Sequence, residues 1–215
     1  MATSAEGRRS PRTSRTKEVP PAPTQAVLHE AALAYLARSA ATAAGVKKTL
    51  ERRVANWAQR AVRSGRDVET VENEASRARE AIAPVVARLR EVGLVNDAAF
   101  ANARARSLSR SGRSRRAIEA HLTAKGASEE IVREALPNRH EDELGAAITF
   151  ARKRRLGPFA RERDELTAAD RQAAKQKALA TMARAGFDFR TSDRVLRMDL
   201  EQAEEHLREH RRGEF

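Results

Sequence analysis

Gly93-Leu94-Val95-Asn96-Asp97-Ala98-Ala99-Phe100-Ala101 is the stretch that decides the fold. Gly93 can take the left-handed position that closes a helix. The Asn96-Asp97 pair can cap the next helix, and Phe100 then falls on that helix's apolar side with Ala103, Ser107 and Leu108. Ser111-Gly112 breaks the pattern. A second helix carries Ile118 and Leu122 and ends at Gly126. Ser128 caps a third, which places Glu129 and Glu130 near its positive end, buries Ile131, Val132, Ala135 and Leu136, and stops at Pro137. The spacing predicts a three-helix unit over 97–136.

The same plan recurs downstream over 141–200. A helix from Glu143 to Leu156 carries Ala147, Phe150 and Ala151 and stops at Gly157-Pro158; residues 159–166 form a charged connection. Thr167, with Asp170 three residues on, is a capping-box start. That helix carries Ala178, Leu179 and Met182 and ends at Gly186, and Thr191 or Ser192 caps a last one with Val195 and Leu196. Aligning Gly126 with Gly186 puts Ile118 over Ala178, Leu122 over Met182, Ala127 over Phe187 and Leu136 over Leu196, an internal repeat. Upstream, residues 24–92 read as a more divergent first copy. Thr24 caps a helix with Leu28, Ala32, Tyr35 and Leu36. Thr42 caps another with Val46, Leu50, Val54, Trp57 and Val62, and Pro84 sits in the first turn of a helix with Val85, Val86 and Leu89. A charged extension over about 55–80 interrupts this copy. Residues 1–23, with Arg8, Arg9, Arg12, Arg15, Lys17 and four prolines, read as a disordered basic tail rather than a transit peptide. Residues 201–215 read as a charged, fraying C-terminal tail. The expected fold is all-α: about three tandem three-helix repeats forming an elongated, curved body.

Composition narrows the function. The 42 Lys and Arg exceed the 30 Asp and Glu, a formal net charge of +12, and most of the excess is arginine. Such a chain attracts polyanions, and arginine forks onto phosphate or carboxylate. The absence of cysteine removes disulfides, thiolate metal sites and thiol nucleophiles. No stretch approaches the roughly 18 apolar residues of a membrane span. Aromatic residues are 4% of the chain, too few for a base-stacking platform.

These residues resemble the RecX family of RecA regulators. The resemblance rests on Gly93-Leu94-Val95-Asn96-Asp97 with Phe100-Ala101, then Gly112, Arg115, Arg116, Ile118, Leu122, Lys125-Gly126, Ile131 and Leu136. It continues through Ala151-Arg152-Lys153-Arg154-Arg155, Lys175, Leu179, Ala183-Arg184-Ala185-Gly186-Phe187 and Val195-Leu196, covering about 28–200. The first unit departs from the family pattern, because Leu50-Glu51-Arg52-Arg53-Val54 runs on into Trp57 and the charged extension. The resemblance implies tandem three-helix repeats lying in the groove of a RecA–DNA filament. It also implies restraint of RecA's ATPase, strand-exchange and coprotease activities in homologous recombination, DNA repair and the SOS response.

The candidate contacts for RecA or for single- and double-stranded DNA are basic. Arg104, Arg106, Arg110, Arg113, Arg115 and Arg116 crowd thirteen residues without an acid among them. Lys125 closes the second unit. Arg152-Lys153-Arg154-Arg155 exceed what a helix C-terminus needs to balance its dipole. Glu129, Glu130 and Glu134 argue against a major-groove recognition helix over 115–136. His206 and His210 share an i, i+4 spacing but have no third ligand at suitable spacing, so no metal is expected. With no phosphate-cradling glycine loop and no nucleophile elbow, the chain reads as a monomeric, cytoplasmic, cofactor-free binding protein, not an enzyme. The alternative is a general DNA-binding or architectural protein, which leaves the repeat signature unexplained.

Overall fold

The computed structural model describes residues 19–136, 140–160 and 167–212, with no side-chain description at 140–142 and 210–212. The expected tail over 1–18, the stop at Pro137 and most of the 159–166 connection lie outside the described residues, as does the side chain of His210. The described residues are helical with no strand. The helices are α1 (Gln25–Leu36), α2 (Ala43–Arg63), α3 (Val68–Glu80), α4 (Ile82–Glu91), α5 (Asp97–Arg110), α6 (Arg115–Ala124), α7 (Glu129–Ala135), α8 (His140–Arg154), α9 (Ala168–Arg184), α10 (Phe189–Arg197) and α11 (Leu200–Arg212). A 3-10 turn at Gly157–Phe159 follows α8.

Three separate apolar clusters, rather than one, divide the chain in tandem. The first is built on Leu28, Leu50, Trp57, Val71, Ile82 and Leu89. The second holds Ala101, Ala105, Ile118, Leu122 and Val132, and the third Ile148, Met182, Phe187 and Val195. The reason is local. Short polar residues begin the helices: Thr24, Thr42, Asp67, Asn96, Ser114, Ser128, Thr167 and Asp188 each accept the backbone N–H three residues on. Glycine ends the second helix of each unit. Gly126 and Gly186 have φ of 83° and 93°. The N–H groups of Ala127 and Phe187 then close back onto the carbonyls of Leu122 and Met182. Two of the pairs aligned by the repeat, Leu122 with Met182 and Ala127 with Phe187, thus occupy matching helix-end positions.

Four expectations change. The charged extension is not appended to the first unit but completes it: α3 is capped by Asp67 and buries Val71, Ala75 and Ala78, so this unit has four helices. Its charge sits on the outer face, where Arg66 pairs with Glu74 and Arg79 with Glu72. Residues 19–23, assigned to the tail, pack on the first core through Val19 and Ala22, with Pro23 buried. The segment is fastened by Trp57, whose indole N–H donates to the Pro20 carbonyl at 2.8 Å. The C-terminal segment is not a loose tail. α11 buries Ala203 and Leu207 in the third core, giving that unit a fourth helix as well. Finally, α10 starts one turn earlier than expected. Asp188, the counterpart of Ser128 in the repeat, caps it at Thr191, and Ser192 is instead buried.

Candidate nucleic-acid or filament interface

The units join in series through a joint that occurs twice. Thr42, the cap of α2, donates its hydroxyl to the carbonyl of Lys125, the last residue before Gly126. Ser114, the cap of α6, donates to the carbonyl of Ala185, the last residue before Gly186, at 2.6 Å. The start of α2 therefore abuts the end of α6, and the start of α6 the end of α9. Positive helix termini face negative ones. Glycine is required on both counts at each joint. Its φ is positive, and a Cβ on Gly126 would come within 2.3 Å of the Ala44 Cβ, while one on Gly186 would come within 2.6 Å of Ser114 Oγ. Asn96 and Asp97 divide their labour here. Asn96 caps α5 by accepting from Ala99, and Asp97 reaches across to accept the Ala43 N–H at 2.8 Å.

Between the first two units this joint leaves an open groove. Its cations are Lys48 and Arg52 from α2, Arg104 from α5 and Lys125 from the end of α6, and no carboxylate lines it. Arg104 is positioned by donating through Nε to His121 Nε2 at 3.2 Å. His121 must be neutral to accept that bond. Its pKa is lowered from the ordinary 6.5, first by partial burial and then by the charges of Arg104, Lys125 and Arg113.

The basic residues singled out in the sequence do not form one patch. Arg104 belongs to the groove, whereas Arg106 and Arg110 lie on the side of α5 away from Ala101 and Ala105. Arg110 and Arg113 instead flank a second junction, where α5 meets α8. There Lys153 Nζ donates to the Ser111 carbonyl at 2.8 Å, and Gly112 lies so close to Thr149 and Phe150 that a Cβ would reach the Phe150 amide nitrogen at 2.9 Å. Arg154 stacks over the Phe150 ring at 5.8 Å. Arg155, with φ of 55°, ends α8, and Arg152 is exposed beside it. The 110–113 and 152–155 segments, separate in sequence, thus converge. Arg116 sits at the joint with the third unit, its Cβ 3.4 Å from where a Cβ of Gly186 would lie. Arg115 is half-buried beside Ser114. Lys48 and Arg52 were missed because the first unit lacks the repeat signature. Their i, i+4 spacing on one side of α2 was the available signal.

Three comparisons bear on this arrangement. Residues 96–136 match the family model described as RecX, second three-helix domain. The chain is 37% identical over 171 residues to the regulatory protein RecX of Myxococcus xanthus (strain DK1622), covering 79% of this chain and 83% of that one. It is 38% identical over 114 residues to the regulatory protein RecX of Agrobacterium fabrum (strain C58 / ATCC 33970), covering 53% and 57%. A crystal structure of a regulatory protein RecX superposes with a TM-score of 0.54 at 21% identity, over 80% of this chain and 70% of that one, a likeness of fold. No helix among the described residues is long and apolar enough to cross a membrane.

Proposed function

The chain belongs to the RecX family, and on that premise we propose that it binds the RecA–DNA filament and restrains RecA's ATPase, strand-exchange and coprotease activities. The observation that carries this reading is the acid-free groove between the first two units, with Lys48, Arg52, Arg104 and Lys125 facing one space. A filament offers acidic protein surface and DNA phosphate side by side, and arginine serves both. Serial units allow one molecule to span neighbouring filament subunits. Holding those subunits in one arrangement opposes the change that ATP turnover requires, because a ligand shifts an equilibrium by its differential affinity for the two states. The protein acts as a cytoplasmic monomer without a cofactor.

The test is the double variant Arg104→Glu and Lys125→Glu. The Lys125 carbonyl that receives Thr42 is backbone, so the joint survives the change. With helicity and unfolding midpoint preserved, inhibition of RecA's DNA-dependent ATPase should fall at least tenfold. Undiminished inhibition would remove the groove from the mechanism.

A further inference from the structure

A second groove runs along the outer side of the first unit, between α2, α1 and the Pro20–Pro23 segment. Its lining contains Arg38, Arg52, Arg53, Arg60 and Arg63 and no carboxylate. None of these five arginines has an ion-pair partner among the described residues. Arg60 donates only to the Asn56 carbonyl of its own helix, at 3.2 Å.

The arrangement follows from how charge is distributed in the unit. Between residues 25 and 66 there are eight Lys and Arg and two acids, whereas residues 67–80 hold five acids and two arginines. The fold puts the two blocks to different uses. On α3 the acids Glu72 and Glu74 are taken up by Arg79 and Arg66. On α2, Glu51 is near Lys47, on the flank opposite Arg53 and Arg60 by the 100° advance per residue. Arg52 to Arg63 spans about 16 Å of helix at 1.5 Å per residue.

We propose that this groove is a track for the phosphate backbone of single-stranded nucleic acid. Unpaired arginines at intervals along one helix match a partner whose charge repeats along its length. The groove has a fixed far wall, because the Trp57 indole holds the Pro20 carbonyl, so a flexible strand can lie between wall and helix. The track also continues. Tyr35, Thr49 and Arg52 line both this groove and the one between the first two units. Recognition is independent of sequence, because the cations of the groove address phosphate and its two aromatic residues, buried Trp57 and half-buried Tyr35, form no array that reads bases. This site is separate from the RecA reading and is measured without RecA.

The experiment is fluorescence anisotropy of a labelled oligo(dT) strand with the full chain across a salt series. The variant replaces Arg53, Arg60 and Arg63, which line this groove and not the other, by Gln. Its affinity is expected to fall at least tenfold, and the slope of log affinity against log salt to shrink by about 2, at about 0.7 per released counterion. The same three residues changed to Lys keep both affinity and slope. Loss of binding in the Lys variant, or wild-type affinity and slope in a folded Gln variant, overturns the proposal. Tighter binding of a duplex of equal length, or equal competition by an acidic polypeptide of matched charge, also overturns it, in favour of a duplex or an acidic protein partner.

Discussion

Ser114 and Ala185, seventy-one residues apart, are joined by a 2.6 Å hydrogen bond from the serine hydroxyl to the alanine carbonyl. The same hydroxyl oxygen accepts the Ala117 N–H that starts α6. One small side chain therefore begins a helix in one unit and seals the end of a helix in the next. Ser114→Ala removes both roles. The expected cost is about 1–2 kcal/mol, read as a lower urea midpoint with an unchanged slope.

Gly186→Ala attacks the same joint from the other side. Its φ of 93° is strained for alanine by about 1–3 kcal/mol, and the new Cβ would approach Ser114 Oγ at 2.6 Å. Combined with Ser114→Ala, the clash is relieved, so the two penalties should sum to more than the double variant shows. A double-mutant cycle with no coupling would contradict the contact.

Asp97→Ala should weaken the tie between the first and second units without fraying α5, because Asn96, not Asp97, caps that helix. Amide exchange of Ala43 should accelerate, since its acceptor is the Asp97 carboxylate, while Ala99 stays protected. Asn96→Ala should give the reverse pattern.

His121 supplies a pH dependence. Partial burial, then Arg104, Lys125 and Arg113, hold its folded pKa below the unfolded value of 6.5. As pH falls through that value the unfolded chain takes up the proton first, so this residue's contribution to stability is lost toward acid. His121→Gln should therefore show a smaller drop in urea midpoint between pH 7.5 and pH 5.5 than the wild type. Protonation also removes the acceptor for the Arg104 Nε–H, so acidification should release Arg104 in the wild type.

The second and third units were legible in the sequence because capping residues, glycine stops and apolar spacing all act within a dozen residues. Gly126 and Gly186, aligned by the repeat, proved to be equivalent helix ends, and Thr167 with Asp170 forms the expected capping box. The first unit was harder. Val71, Ala75 and Ala78 are diluted among charges, and only the packed core shows that they face inward. Ala203 and Leu207 were hidden likewise in α11. The grooves were only partly legible. Arg104 stood out by local density and Lys125 as the residue closing the second unit, but their meeting with Lys48 and Arg52 depends on the Thr42–Lys125 joint, which no local pattern encodes. The crowding of arginines over 104–116 was legible too, but the helical rotation along α5 and then the turn at Gly112 send them to different faces.

The most direct test of the central claim is RecA's ATPase on single-stranded DNA, with this protein titrated from well below the RecA concentration and then challenged with excess DNA. Inhibition at substoichiometric protein that survives the added DNA is the predicted result. No inhibition, or inhibition that disappears as DNA is added, would contradict a filament-directed regulator and leave a protein that competes for DNA alone.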